Sequence, residues 1–267
     1  MKPITSTIGR WAFGVGRWAF ALCLFIAQQS FAQTDPPSHS YGAAGADFLK
    51  ANQSYGEGRF QDAIKSYEAL VQARQFSANL FYDVGNAYFR AGDFGAAILN
   101  YERALALDRH HPEADANLRI VRDETRALEL NRPPVERMLR FATANQFAIT
   151  AATAFWIGAF AIFALVFTRR RAVGLIALSI FAFAICALTI FAAYRLENGT
   201  NGKALAIVTG NGVEARLATA DNANTVLALP PGSEIKILST RGDWIYAALP
   251  NNLRGWLPAK SAELVRL

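Results

Sequence analysis

The side chains that most often carry catalysis are scarce in this sequence. Its 267 residues include 3 His and 2 Cys, and His110 and His111 are adjacent. Adjacent residues in a helix point to different sides, so this pair is a poor metal site and reads better as part of a solvated loop. The sequence contains no G-x-x-x-x-G-K-[ST], G-x-S-x-G, H-E-x-x-H or C-x-x-C. We therefore predict a protein that is not an enzyme and holds no metal or cofactor.

A repeated pattern organises the N-terminal half of the chain. Residues 58–68, GRFQDAIKSYE, and 92–102, GDFGAAILNYE, match at Gly, Phe, Ala, Ile, Tyr and Glu with an offset of 34. That period is the period of the tetratricopeptide repeat, whose units are helix pairs. The glycine that opens each stretch is placed to end the first helix of its unit. We predict an all-α domain over 46–131, with units 45–77 and 78–111 and a capping helix over 113–130.

Tetratricopeptide arrays usually bind peptides on the concave face formed by the first helices of their units. Asparagine suits such a face because its amide can pair with both an N–H and a C=O of a peptide. The positions that the resemblance places on this face are Phe48, Asn52, Tyr55, Tyr82, Asn86, Phe89, Arg90 and Asn117. The alternative is that these side chains are solvated or cover the next domain.

Two charge-free runs predict a transmembrane hairpin. Residues 147–167 and 172–194 comprise 21 and 23 residues, and each run could cross about 30 Å of hydrocarbon as a helix. Arg169, Arg170 and Arg171 lie in the turn 168–171, which the positive-inside rule places in the cytoplasm. Both flanking domains then lie in the periplasm of a bacterium, above its inner membrane. The alternative, a buried hairpin in a soluble protein, lacks a segment that could cover so much apolar surface.

The first 32 residues predict an export signal. Basic residues precede a ten-residue apolar run that ends at Ala27 and is too short to span a bilayer. Ser30 and Ala32 are small residues at positions −3 and −1 of a cleavage site between Ala32 and Gln33. An uncleaved anchor helix is the alternative. Residues 33–45 are predicted to be a flexible leader, and 132–146 a juxtamembrane linker.

The charge distribution argues against nucleic-acid binding. The formal net charge is +6, and charged residues make up only 18% of the chain. The basic excess lies mainly before residue 33 and in the arginine triplet, whereas residues 33–140 carry more acids than bases. A nucleic-acid-binding domain would gather Lys and Arg on one folded face.

The pattern changes after residue 203 to short strand-like runs separated by turn residues. Such spacing predicts a small all-β barrel or sandwich. Over residues 202–267 the layout resembles a bacterial SH3-like domain, through VEAR at 213–216, GDW ending at Trp244, GWL around Trp256, and AELV at 262–265. In that fold Trp244 and Trp256 could line a groove for proline-rich or cell-wall peptides. Both could instead be core residues, the interpretation we favour for Trp244.

The order of these parts is itself informative. Together with VGNAYFRAGDFGAAILNYERAL at 84–105 and ANLR at 116–119, it resembles the BatE family of the Bacteroides aerotolerance operon. The resemblance implies work beside membrane-anchored von Willebrand A-domain proteins and a MoxR-type AAA ATPase in stress tolerance. We therefore predict a membrane-anchored periplasmic scaffold for protein partners. The alternative is a peptidoglycan-binding or sensing protein that acts through the SH3-like domain.

Overall fold

The computed structural model describes residues 38–139, 141–167, 172–200 and 202–267. The predicted signal peptide, its cleavage site at Ala32 and Gln33, and the arginines 169–171 lie outside these residues. The first described helix begins at Ser38, within the segment that the sequence assigns to a flexible leader. Contacts divide the chain after Asp47, and the described part of the first unit is the N-terminal half of this helix. Residues 48–267 form the second unit.

Helices build the N-terminal part of the fold, and consecutive helices pack together from the second to the fifth. They are α1 (Ser38–Gly56), α2 (Phe60–Gln72), α3 (Ala78–Ala91), α4 (Phe94–Leu107) and α5 (Pro112–Thr125). Their ends follow from local sequence. Ser77 caps α3 by accepting a hydrogen bond from the Leu80 N–H, and Gly92 ends it in a left-handed conformation at φ 83°. These pairs are the tetratricopeptide-like helices that the sequence predicts.

A glycine sets the distance between α3 and α4. A Cβ on Gly85 would lie 2.7 Å from the ring of Tyr101, well inside van der Waals contact. Tyr101 is fully buried, and the neighbouring Ala97 is too. The small residue on one helix therefore makes room for the aromatic ring of the other, which is how the repeat fills its interior.

Two apolar helices follow the short helix α6 (Pro134–Leu139), and they pack along each other. These are α7 (Ala144–Phe167) and α8 (Val173–Asn198), and both are long and apolar enough to cross a bilayer. Gly158 of α7 receives the ring of Phe183 of α8, because a Cβ there would lie 2.9 Å from it. Small residues at such contacts allow apolar helices to approach closely.

The C-terminal part is an antiparallel β-sheet. Its strands are β1 (Leu205–Val208), β2 (Val213–Arg216), β3 (Thr225–Leu229), β4 (Glu234–Arg241), β5 (Trp244–Ala248), β6 (Arg254–Pro258) and β7 (Ala262–Leu264). Their order in the sheet is β3-β2-β6-β5-β4-β1-β7. Alternation decides which side chains are inside: Ile245 and Ala247 of β5 are buried, as is Leu257 of the paired β6. The predicted fold class, helical repeats with an apolar hairpin and an all-β module, is confirmed.

The helical array and the sheet share one hydrophobic core. Ile98 of α4 and Val121 of α5 are buried in the same cluster as Leu205, Ile207 and Val265 from the C-terminal part. The helix and strand backbones approach closely at this contact. A Cβ on Gly95 would lie 2.7 Å from the carbonyl oxygen of Thr209. The array and the sheet of the second unit are therefore packed directly against each other.

A buried ion network closes the same interface. Glu234 of β4 is fully buried, and its carboxylate accepts hydrogen bonds from Arg122 (2.5 Å), Arg132 (2.9 Å) and the Leu130 N–H (3.1 Å). Arg122 also donates to Glu102 at 2.6 Å. Burial raises the pKa of Glu102, although the Arg122 charge opposes the shift. Burial alone would lower the pKa of Arg122, but Glu102 and Glu234 hold it above its ordinary value. The network thus keeps a full positive charge between α5 and β4.

Candidate protein-binding surface

Two asparagine–tyrosine hydrogen bonds recur at the repeat period. The Tyr67 hydroxyl donates to Oδ1 of Asn52 at 2.5 Å, and the Tyr101 hydroxyl donates to Oδ1 of Asn86 at 2.8 Å. Both members of the second pair lie 34 residues after those of the first. Burial raises the pKa of both tyrosines, so the hydroxyls stay protonated donors. Each bond ties the second helix of a unit to the first and fixes the asparagine amide.

Asn117 extends this arrangement from the second unit to α5. Its Nδ2 donates to the Oδ1 of Asn86 at 3.0 Å, which already accepts from Tyr101. Within the described residues, the Nδ2 of Asn86 donates to no protein group. A bound segment would therefore accept a hydrogen bond from this nitrogen, whereas the sequence suggests pairing at both ends of the amide. The structure thus brings two predicted site residues, Asn86 and Asn117, into contact.

Tyr82 lies beside this network, next to an acidic residue that the sequence analysis missed. The Tyr82 ring centroid is 6.1 Å from that of Tyr101 and 5.0 Å from that of His111. The half-buried Asp83 follows in α3, and burial raises its pKa to about 6, against a smaller lowering effect of His111. The repeat period could have identified Asp83 as a site residue, because it lies 34 residues before the predicted site residue Asn117.

The elevated pKa of Asp83 predicts a pH-dependent stability effect. An ordinary Asp ionises near 3.8, so the folded protein binds an additional proton between that pH and about 6. Ionisation of Asp83 therefore destabilises the fold above pH 6, and the penalty fades as the pH falls. We expect Asp83→Asn to raise the melting temperature at pH 7.5, with a smaller gain at pH 5. Melting curves of Asp123→Asn, which removes an exposed acid from α5, should show no such pH-dependent gain.

The remaining predicted residues of α3 form an aromatic edge with α1 and α2. The Arg90 guanidinium lies 5.1 Å from the ring centroid of Phe60, which is 5.5 Å from that of Tyr55. Phe89 turns towards the next helix, with its ring 5.8 Å from Phe94. Phe60 is a further residue that the sequence analysis missed, although its match to Phe94 in the repeat was visible. Arg90 is exposed and held over an aromatic face, which leaves its charge accessible to a bound segment.

In the sheet, Trp244 and Trp256 lie on the neighbouring strands β5 and β6. Tyr246 is directly opposite Trp256, and their ring centroids are 5.0 Å apart. Because side chains alternate along a strand, Trp244 and Tyr246 share the face opposite to the buried Ile245. Both tryptophans are half-buried. An aromatic face composed of Trp244, Tyr246 and Trp256 therefore covers the outer side of the sheet.

A cavity of about 740 Å³ lies between the array, the segment between α5 and α7, and the C-terminal residues. Two of its arginines are paired with acids: Arg103 lies 3.2 Å from Glu263, and Arg119 pairs with Asp115. Further acidic side chains such as Glu129 also line the cavity, so its lining carries both signs of charge. In the part of the chain that the structure describes, no group of three His, Cys, Asp or Glu side chains is arranged to hold a metal ion.

Comparison with known proteins agrees with this geometry. Residues 78–111, which contain α3 and α4, match the tetratricopeptide repeat family. This is also the range predicted for the second unit, so the prediction of a tetratricopeptide repeat is confirmed. No curated protein matches the chain. The repeat indicates a scaffold role in protein–protein interaction, the typical role of such non-enzymatic arrays.

Proposed function

We propose that the protein is a membrane-anchored periplasmic scaffold that binds a segment of a partner protein on the concave face of its repeat array. The observation that carries this proposal is the Tyr101–Asn86–Asn117 network. It holds an asparagine donor in a fixed orientation beside Tyr82 and Asp83. A preorganised polar group next to aromatic side chains lowers the entropic cost of binding an extended segment.

The membrane anchoring is supported by the surface of the hairpin. Large apolar side chains cover it, including Phe163 and Phe181, which are 61% and 65% exposed. An apolar surface of this extent is rare on a soluble protein. The shared core adds a topological argument, because α7 and α8 lie between the array and the sheet in the chain. Two domains that pack together must be on the same side of the bilayer. Two spans between them satisfy this condition, because an even number of spans returns the chain to its starting side. The arginine-rich turn then favours the periplasm for both.

The partners are proposed from the BatE resemblance. They are von Willebrand A-domain membrane proteins, acting with a MoxR-type ATPase in stress tolerance. The concave face suits a segment that carries apolar side chains for Tyr55 and Tyr82, a basic side chain for the carboxylate of Asp83 and an acidic one for the exposed Arg90. The membrane anchor holds the array at the height of partners in the same bilayer, which raises their effective concentration.

The experiment is affinity purification of the tagged full-length protein from crosslinked, mildly solubilised membranes, read by mass spectrometry. We expect Asn86→Ala with Asn117→Ala to reduce partner recovery by about tenfold or more, because two hydrogen-bonding groups are lost. The pair Asn222→Ala and Asn224→Ala removes exposed asparagines near β3 and should leave recovery unchanged. Asn86→Asp is a complementary variant, since it keeps the acceptor for Tyr101 and Asn117 but replaces the outward donor with a negatively charged oxygen.

The melting temperature of each variant separates loss of binding from loss of folding. Unchanged recovery by folded variants would contradict the concave face as the binding site.

The second candidate function is peptidoglycan binding by the SH3-like sheet, and the aromatic face of Trp244, Tyr246 and Trp256 favours it. Recovery of wall-synthesis or wall-hydrolysis proteins with attached muropeptides, in place of von Willebrand A-domain proteins, would support this candidate and make the array an accessory.

A further inference from the structure

The short helix α6 (Pro134–Leu139) exposes its apolar side chains and buries its carboxylate, which is the opposite of the distribution on a helix that faces water. Glu136 is only 9% exposed, whereas Met138 is 76% exposed and Phe141, just after the helix, is 80% exposed. Val135 is also exposed. In water the reverse distribution is expected, with the carboxylate in solvent and the large apolar side chains covered. The inversion indicates that the medium around this helix is apolar.

The inward orientation of Glu136 is fixed by specific contacts. Its Oε2 accepts a hydrogen bond from the Thr200 N–H at 2.9 Å, and its Oε1 lies 3.9 Å from the Arg195 guanidinium. Both partners belong to the end of α8 or the residues just after it. A Cβ on Gly199 would lie 2.7 Å from the same carboxylate, so the approach is close. Glu136 thus joins the entry of the hairpin to its exit and leaves the opposite side of α6 uncovered.

The uncovered side is continuous with the apolar surface of the hairpin. The ring centroid of Phe141 is 5.4 Å from that of Phe147, in the first turn of α7. Tyr194 stands next to Arg195 near the end of α8 and is 63% exposed. Tyrosine and arginine at this place are typical of the boundary between lipid and water. The helix α6 is therefore at the level where the hairpin would leave the bilayer.

We propose that α6 lies in the headgroup–acyl boundary of the bilayer, with Val135, Met138 and Phe141 among the acyl chains. The exposed Arg137 then reaches the level of the lipid phosphates. This inference rests on the membrane placement of α7 and α8 proposed above. The occupant of the surface is lipid, because the surface continues that of the hairpin without interruption. The consequence is a fixed height of the array above the membrane, since the hydrogen bond from Lys236 of β4 to the Asn198 carbonyl joins the end of α8 to the sheet.

Depth-dependent quenching in liposomes tests this placement. Cys23 and Cys186 are first replaced with serine and alanine, and single cysteines are introduced by Met138→Cys, Phe141→Cys, Trp156→Cys or Leu217→Cys. An environment-sensitive fluorophore on each cysteine is then exposed to phospholipids that carry a spin label at a shallow or a deep acyl position. Trp156 is 58% exposed and reports the middle of α7. Leu217 is 65% exposed after β2, on the part of the sheet away from β4, and is the matched control.

We expect the shallow spin label to quench Met138→Cys and Phe141→Cys about threefold more than Leu217→Cys, as an interfacial helix requires. Trp156→Cys should be quenched most by the deep label. If Trp156→Cys is quenched while Met138→Cys and Phe141→Cys behave like Leu217→Cys, α6 is not in the interface although the hairpin is in the bilayer. If none of the four is quenched, the membrane placement of the hairpin fails as well.

Discussion

Replacing Glu234 with glutamine is expected to lower the free energy of unfolding by about 3–5 kcal/mol, the usual cost of removing one partner from a buried ion pair. Glutamine keeps the size of the side chain but removes the charge that compensates Arg122 and Arg132. Arg122 of α5 and Arg132, in the segment after that helix, then remain beside β4 with less neutralising charge. Unfolding of the detergent-solubilised protein in denaturant, followed by tryptophan fluorescence, measures the loss.

The matched control is Glu129→Gln, in the same network. Its carboxylate lies 3.4 Å from Arg122, but its side chain is 50% exposed, so we expect a loss below about 1 kcal/mol. Equal losses for the two variants would show that the burial of Glu234 is not what makes its charge important. A Glu234→Gln protein as stable as the wild type would contradict the role of the network in joining the array to the sheet.

Replacing Gly95 with alanine is expected to destabilise the protein by about 1–3 kcal/mol through overpacking. Helix propensity alone favours alanine by up to about 1 kcal/mol, so propensity and overpacking change the free energy of unfolding in opposite directions. A loss of stability therefore identifies overpacking as the larger effect. The added Cβ would lie 2.7 Å from the carbonyl oxygen and 2.9 Å from the Cα of Thr209. These are backbone atoms, which cannot rotate away, so α4 and the sheet must separate slightly.

Thermal unfolding and limited proteolysis of the segment between α5 and α6 test this expectation. Gly56→Ala, at the end of α1, is the control because nothing lies within 4 Å of its added Cβ. It should be neutral or slightly stabilising. A Gly95→Ala protein that is also stabilised would mean that the array and the sheet can move apart without loss, which would contradict a rigid shared core.

Much of the fold follows from local patterns in the sequence. The 34-residue offset, the charge-free runs and the alternation in β5 each report the periodicity of one element and the face that it buries. Ser77 and Gly92 set the ends of α3 through chemistry that involves only neighbouring residues. The class of each element was therefore predictable without knowledge of its partners.

What could not be predicted is which element covers which face. The apolar pattern of α4 is satisfied equally by another repeat or by a sheet, so nothing local predicts that Ile98 is buried in one cluster with Ile207. From the sequence alone Glu234 is predicted to be a solvated strand residue, because no local pattern indicates that Arg122 lies beside it. The inverted helix α6 is too short for its periodicity to be read. For the candidate site, the recurring Asn–Tyr spacing was present in the sequence, but the second hydrogen bond to the Asn86 oxygen comes from Asn117 of α5, a contact that the repeat spacing does not predict.

The shared core also constrains the order in which the protein can be made. Arg122 and Glu234 are 112 residues apart in the chain, and both apolar helices, α7 and α8, lie between them. Contacts of such long sequence separation form slowly and late. Under the topology proposed above, the array reaches the far side of the membrane before the sheet that completes its core has been translocated. Ile98, Leu118 and Val121 would face water during that interval, which would make the unfinished chain a substrate for the chaperones and proteases of that compartment.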